Sequence, residues 1–267
     1  MRLTLEYDGT EFSGFQWQPA VRTVAGVLEA ALERLFDERI RVTGAGRTDS
    51  GVHASGQVVS FSTDRTFPFE RLAIALNAVL PPDCSVRDAA AVEGDFSARF
   101  SARERTYVYA ILNRPQRSAP LARYTHHVAR PLDLAAMRAA AAYFVGGHDF
   151  RPFCGSSQPG EPTVRTVARL DLELRGELIR IEISADGFLH HMVRIIIGTL
   201  LECGDGRRAP EGLPAMLAAA KRATAGPTAP AHGLWLAGVR YADGYDSFAE
   251  PPLFQGRGSL TDGQAFP

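Results

Sequence analysis

Two runs past the middle of the chain constrain its fold most. Leu170, Leu172 and Leu174 alternate with charged residues, Ile179, Ile181 and Ile183 do the same, and the runs meet at Gly176. Period-two alternation buries one face of a strand and wets the other, and a glycine between two such runs turns the chain back. An antiparallel hairpin is therefore expected. Leu3, Leu5 and Tyr7 alternate with Arg2, Thr4 and Glu6 as another strand. Behind Thr23, a good N-cap, Val24, Val27, Leu28, Ala31, Leu32 and Leu35 repeat at helical spacing. Further strands are expected at 39–45, 57–62, 85–92 and 234–241, and a central strand, apolar on both faces, at 106–112. Further helices are expected at 69–79, stopped by Pro81-Pro82, at 134–145, ended by Gly146-Gly147, at 189–203 and at 211–223. Mixed elements in two successive sets, with hairpins, argue for two α+β halves with antiparallel sheets and against a parallel Rossmann sheet. Neither G-x-G-x-x-G nor G-x-x-x-x-G-K-[ST] is present.

A chain of 267 residues is long enough for one large domain or two small ones. No apolar run reaches the ~18 residues of a membrane span, and Met-Arg-Leu-Thr-Leu-Glu-Tyr reads as a strand, not a secretory leader, so a cytoplasmic protein is expected. Cys84, Cys154 and Cys203 are far apart and form no C-x-x-C pair, which argues against a disulfide framework and a thiolate zinc site. Net charge is −1, yet Arg99, Arg103, Arg105, Arg114, Arg117, Arg123 and Arg130, with His126 and His127, face one acid, Glu104, in a single stretch. Such a stretch can line a phosphate track. Of the 29 basic residues only Lys221 is lysine, a bias that makes arginine abundance alone uninformative.

Three segments carry chemistry. Gly44, Gly46 and Gly51 frame Arg47-Thr48-Asp49, placing an acid and a base in a tight, exposed loop, the usual setting for a catalytic carboxylate; a turn whose Asp caps backbone N–H groups is the plainer alternative. In Phe188-Leu189-His190-His191-Met192-Val193-Arg194-Ile195-Ile196-Ile197 a single Arg lies inside an almost wholly apolar helix. A buried lone charge costs several kcal/mol, so Arg194 needs an anionic partner unless its stem snorkels to water. His190, four residues before Arg194, shares its helix face, whereas His190 and His191 stand about 100° apart on that helix, which argues against their clamping one metal. Tyr107, in Glu104-Arg105-Thr106-Tyr107-Val108-Tyr109, reads either as core or as an aromatic for stacking an unpaired base.

In this order, GRTDSGVHA, ERTYVYAI and GFLHHMVRIIIGTLLE resemble the TruA-type tRNA pseudouridine synthases. Tyr7-Asp8-Gly9-Thr10, Phe15-Gln16, Arg22-Thr23-Val24, Phe96-Ser97-Ala98-Arg99, His148-Asp149-Phe150 and Ala231-His232-Gly233-Leu234 fit as well, so the likeness runs from residue 2 to about 241. Ser50, Ala25 and Ile195 stand where Ala, Gln and Asn are usual. The resemblance implies that Asp49 is the nucleophile, that Arg194 keeps it ionised, that Tyr107 stacks on the target uracil and that Arg47 holds the nucleotide flipped from its stem. It implies two RRM-like (ferredoxin-like) halves forming a mostly antiparallel sheet with helices on one side and the cleft between the halves. On that basis residues 1–98 form a half carrying the Asp loop, 99–243 a half carrying the Tyr strand and Arg helix, and 244–267 an extended Gly/Pro-rich tail. It further implies a homodimer acting on the anticodon arm of tRNA at positions 38–40.

Pseudouridine forms by breaking the N1–C1′ bond, rotating the base and rejoining through C5. Nothing is oxidised, so neither cofactor nor metal is expected. A carboxylate can attack C1′ of the sugar or C6 of uracil, and both routes stay open. Two other readings are a non-catalytic RNA-binding module on the same sheet, and a dimeric aspartic protease built on Asp49-Ser50-Gly51, which needs two carboxylates sharing a proton.

Overall fold

The computed structural model of the chain describes residues 1–156, 162–219, 221–242 and 244–255. Among these the strands are β1 (Arg2–Tyr7), β2 (Thr43–Gly44), β3 (His53–Ser60), β4 (Cys84–Ala90), β5 (Ala102–Asn113), β6 (His126–Val128), β7 (Gly146–Asp149), β8 (Val164–Arg175), β9 (Leu178–Ala185), β10 (Leu234–Tyr241) and β11 (Ser247–Phe248). The α-helices are α1 (Val24–Phe36), α2 (Phe69–Asn77), α3 (Leu134–Ala142), α4 (Met192–Gly204) and α5 (Leu213–Ala219). Thr23 caps α1 as its position suggests, its hydroxyl accepting from the Gly26 N–H, and the β8–β9 hairpin turns at Gly176 with φ 63°.

One sheet runs β4-β1-β3-β10-β5-β9-β8-β7, with β2 on β3, β6 on β5 and β11 on β10. Its pairs are antiparallel apart from β3–β10 and β5–β6. The strand order repeats: β4-β1-β3 in the first half and β10-β5-β9-β8 in the second each set the last strand of the unit beside its first. The halves join where His53 and Ala54 of β3 lie opposite Trp235 and Leu236 of β10.

That joint decides where the Asp loop lies. β1 takes one edge of β3 along its length. The other edge is shared, by β2 at Val59 and Ser60 and by β10 at His53 and Ala54. The chain linking β2 to β3 is therefore released at the seam between the halves. The same sharing explains why the strand expected over 39–45 shrinks to Thr43–Gly44 and why β3 starts at His53 and not Gln57.

Side-chain alternation on β5 sorts two layers. Tyr107, Tyr109 and Ile111 join one large core with Leu3 and Leu5 of β1 and with residues of all five helices, among them Leu28, Leu72, Met137, Ile196 and Leu213. Val108, Ala110 and Leu112 face the other way, against Leu178, Ala237 and Phe254. The helices thus share one side of a mixed α+β sheet.

Over 244–255 the Gly/Pro-rich tail packs onto the sheet: Ser247 and Phe248 pair with Val239 and Gly238, and Phe254, only 2% exposed, plugs the face opposite the α-helices. Residues 256–267 lie outside the described residues. Gly146-Gly147, read as a helix stop, open β7 instead. No helix among the described residues is long and apolar enough to cross a membrane.

Candidate active site

The loop between β2 and β3 is held in place by buried polar bonds. The Gln57 side chain, inaccessible to solvent, donates to the Gly46 carbonyl at 2.7 Å. The Tyr7 and Thr48 hydroxyls bond each other at 2.8 Å, and the Phe15 N–H donates to the Thr48 carbonyl at 3.0 Å. Gly51 closes the loop at φ 77°, in the left-handed region that favours glycine. Burial pushes the Tyr7 phenol well above its ordinary range, so it stays a neutral hydrogen-bonding group. Gln57→Leu should strand the Gly46 carbonyl at a cost of about 1–3 kcal/mol. A denaturation midpoint lowered to match checks this, and an unchanged midpoint would show the bond to be dispensable.

Asp49 projects from this loop with its side chain a quarter exposed, toward α4. Arg194 Nη1 donates to Asp49 Oδ2 at 2.9 Å. Arg194 Nε donates to the Ala229 carbonyl at 2.7 Å while the Ala229 N–H donates to the Arg194 carbonyl at 3.0 Å, so Ala229 holds both the backbone and the guanidinium of Arg194. The structure thus brings together an acid and a base 145 residues apart in sequence.

Tyr107, a residue 7% exposed, lines the same cleft from β5, with the half-buried Phe188 standing edge-on to its ring at 5.1 Å. Burial, and then the nearby Asp49 carboxylate, push the Tyr107 phenol far up and keep it protonated. Arg47 is exposed on the cleft rim.

The basic stretch is divided among several places in the structure. Arg105 donates to the carbonyls of Ala45 and Asp186 and so staples the two halves. Arg114 pairs with Glu177 and Arg130 with Asp205. Arg99 alone joins Arg105 at the cleft, where Arg165 meets them from β8. The cleft, about 640 Å³, therefore sets Arg47, Arg99, Arg105, Arg165 and Arg194 against Asp49 and Asp186. A hollow of about 730 Å³ on the face opposite the α-helices is lined by Glu6, Asp8 and Asp83 with no basic residue. Of these two, the first offers a phosphate chain attraction and the second repulsion.

His190 and His191 depart from the helical expectation. α4 begins at Met192, because His191 takes φ 61°, a conformation that histidine visits more readily than most side chains. The imidazoles are therefore not splayed by helical geometry. Their centroids lie 3.7 Å apart, with His191 Nε2 3.5 Å and His190 Nε2 4.0 Å from the Asp49 carboxylate. Sequence reasoning missed this pairing, and also Arg165 and Phe188. Phe188 carried a signal, a lone aromatic beside the His pair; Arg165 carried none in a chain so rich in arginine.

An Asp facing a fixed guanidinium, in a cleft rimmed by arginines and floored by aromatics, suits covalent chemistry on an anionic, base-bearing polymer. It does not suit an aspartic protease, since Asp49 faces Arg194 and two imidazoles where a proton-sharing carboxylate is needed.

Comparison with known proteins agrees. The family model for tRNA pseudouridine synthases matches residues 4–101 and 140–242. Relatives called tRNA pseudouridine synthase A include that of Moorella thermoacetica, 48% identical over 243 residues and spanning 90% of this chain and 99% of its own. That of Caldicellulosiruptor saccharolyticus is 44% identical over 90% of this chain and 98% of its own. That of Halalkalibacterium halodurans is 48% identical over 87% and 89%. A solved Cbf5–Nop10–Gar1 complex aligns at a TM-score of 0.34 and 11% identity over 75% of this chain and 54% of that one, too weak a likeness to bear on the fold. The chain belongs to the tRNA pseudouridine synthase family.

Proposed function

We infer that this chain isomerises uridine to pseudouridine in tRNA, with Asp49 as the nucleophile. The observation that carries the assignment is the 2.9 Å bond between Asp49 and Arg194 in the arginine-rimmed cleft. The carboxylate attacks C1′ or C6 while the N1–C1′ bond breaks. The freed base rotates and C5 bonds to C1′, the bond from Asp49 to C1′ or C6 breaks and returns the carboxylate, the C5 proton is lost and N1 ends protonated, so atoms and charge balance without a redox partner. Arg194 pairs with the carboxylate and aims it. Taking the base out of its stack costs a few kcal/mol. Arg47 at the rim, Tyr107 and Phe188 on the floor, and phosphate contacts from Arg99 and Arg165 offset it.

The substrate segment we propose is the anticodon arm, positions 38–40, bound across a homodimer in the cytoplasm, with residues 1–98 and 99–243 as the two halves that close on the nucleotide. Unmodified tRNA transcript incubated with the protein and mapped base by base tests this. Pseudouridine confined to positions 38–40 is expected. Product elsewhere in the tRNA would refute the site, and none at all would refute the activity.

A further inference from the structure

The isomerisation steps use neither His190 nor His191, yet both rings line the cleft. His190 Nδ1 and the Ser156 hydroxyl lie 2.9 Å apart, which leaves Nε2 as the free nitrogen facing Asp49. The Gly155 N–H donates to the His190 carbonyl at 2.8 Å. The same glycine lets the chain lie against the His191 ring: a Cβ on Gly155 would stand 2.7 Å from Nδ1 and 3.0 Å from Cγ. Gly155 and Ser156 thus set the orientation of both imidazoles.

One donor atom from each of Asp49, His190 and His191 lies within 4.8 Å of the other two, an arrangement no other three such residues among the described ones share. Donors about 2.0–2.1 Å from a tetrahedral zinc ion stand roughly 3.3 Å apart. His191 Nε2 is 3.5 Å and His190 Nε2 4.0 Å from the carboxylate, within reach of a shared ion once the two rings, now 3.7 Å apart with 30° between their planes, turn so that their Nε2 lone pairs converge. Arg194 takes one position on Oδ2, and a carboxylate offers about four lone-pair sites, so the pair and a metal can share it.

We propose that Asp49, His190 and His191 form a site for a first-row transition metal ion, zinc above all, that caps the carboxylate and reversibly blocks the enzyme. Water or solvent hydroxide completes the tetrahedron. Two imidazole nitrogens select zinc, copper, nickel or cobalt and not magnesium, which demands six oxygens. The Ser156 hydroxyl is the outer partner of His190: accepting from Nδ1–H, it leaves the Nε2 lone pair for the metal. Binding rests on geometry alone, whereas inhibition also rests on Asp49 being the nucleophile.

The test titrates zinc into the full chain, stripped with chelator, against a chromogenic zinc indicator, and separately measures pseudouridine formation. One zinc per chain is expected, uncompeted by millimolar magnesium. Ser156→Ala should weaken it about 10-fold, within the roughly 10–100-fold range of outer-partner changes, and His190→Ala or His191→Asn by more than that range. Asn keeps the left-handed turn of residue 191, so the fold is retained. Zinc should stop turnover, tRNA should compete with it, and chelator should restore it. Absence of binding, or undiminished binding in both His variants, overturns the site. Stoichiometric binding with unhindered turnover overturns the capping. If Asp49→Asn proves fully active, the functional reading fails, while the indicator titration still reports on the metal site.

Discussion

Asp49→Asn lowers kcat for pseudouridine formation by about 10⁴-fold or more, the scale seen when a catalytic nucleophile is removed, and leaves the fold and tRNA binding in place. The side chain is a quarter exposed and contributes nothing to the cores. The loop is held without it, by Gln57 on Gly46, Tyr7 on Thr48 and Phe15 on Thr48. The amide has nearly the carboxylate's size but cannot form the covalent bond to the substrate. Arg47, Arg99 and Arg165, which would meet the phosphates, are untouched. Circular dichroism, a thermal midpoint and filter binding beside the rate separate these effects. A collapsed midpoint would make Asp49 a structural residue.

Arg194→Ala damages both turnover and stability. It leaves the Asp49 carboxylate and the Ala229 carbonyl without their donor. Breaking a fully buried pair costs about 3–5 kcal/mol. Here the side chains retain 15% and 25% exposure, so water offsets part of that and about 1–3 kcal/mol is expected. kcat should fall more than about 100-fold, since the nucleophile loses both its charge partner and its aim. Arg194→Lys should recover stability better than rate, because one ammonium cannot reach Ala229 and Asp49 in the geometry of a planar fork. Full turnover in a folded Arg194→Ala protein would dissolve the proposed pair.

Much of this was legible in the residues because local rules and tertiary structure agree. The 170–183 hairpin, the Thr23 cap and the two-sided apolarity of 106–112 all reappear, the last as β5 in the middle of the sheet. A lone Arg in an apolar helix demanded an anion, and an acid in a glycine-framed loop wanted a fixed position; one contact answers both. What stayed hidden depends on long-range pairing. Two strands sharing one edge of β3 cut β2 to two residues. Phe254 earns its burial only from strands far away in sequence. The His pair was misplaced because helical periodicity continues through 189–191, while a positive φ at His191 delays the helix to Met192. Period reports on faces and is blind to such a turn.

The central claim is that the Asp49 carboxylate, held by Arg194 at the seam of the two halves, does the bond breaking. Single turnover tests it most directly: enzyme in excess over unmodified tRNA transcript, with product counted per tRNA molecule. The wild-type chain should convert its target uridine to completion, and Asp49→Asn, bound at the same saturation, should yield no pseudouridine. Product from Asp49→Asn at a rate near wild type would contradict the account.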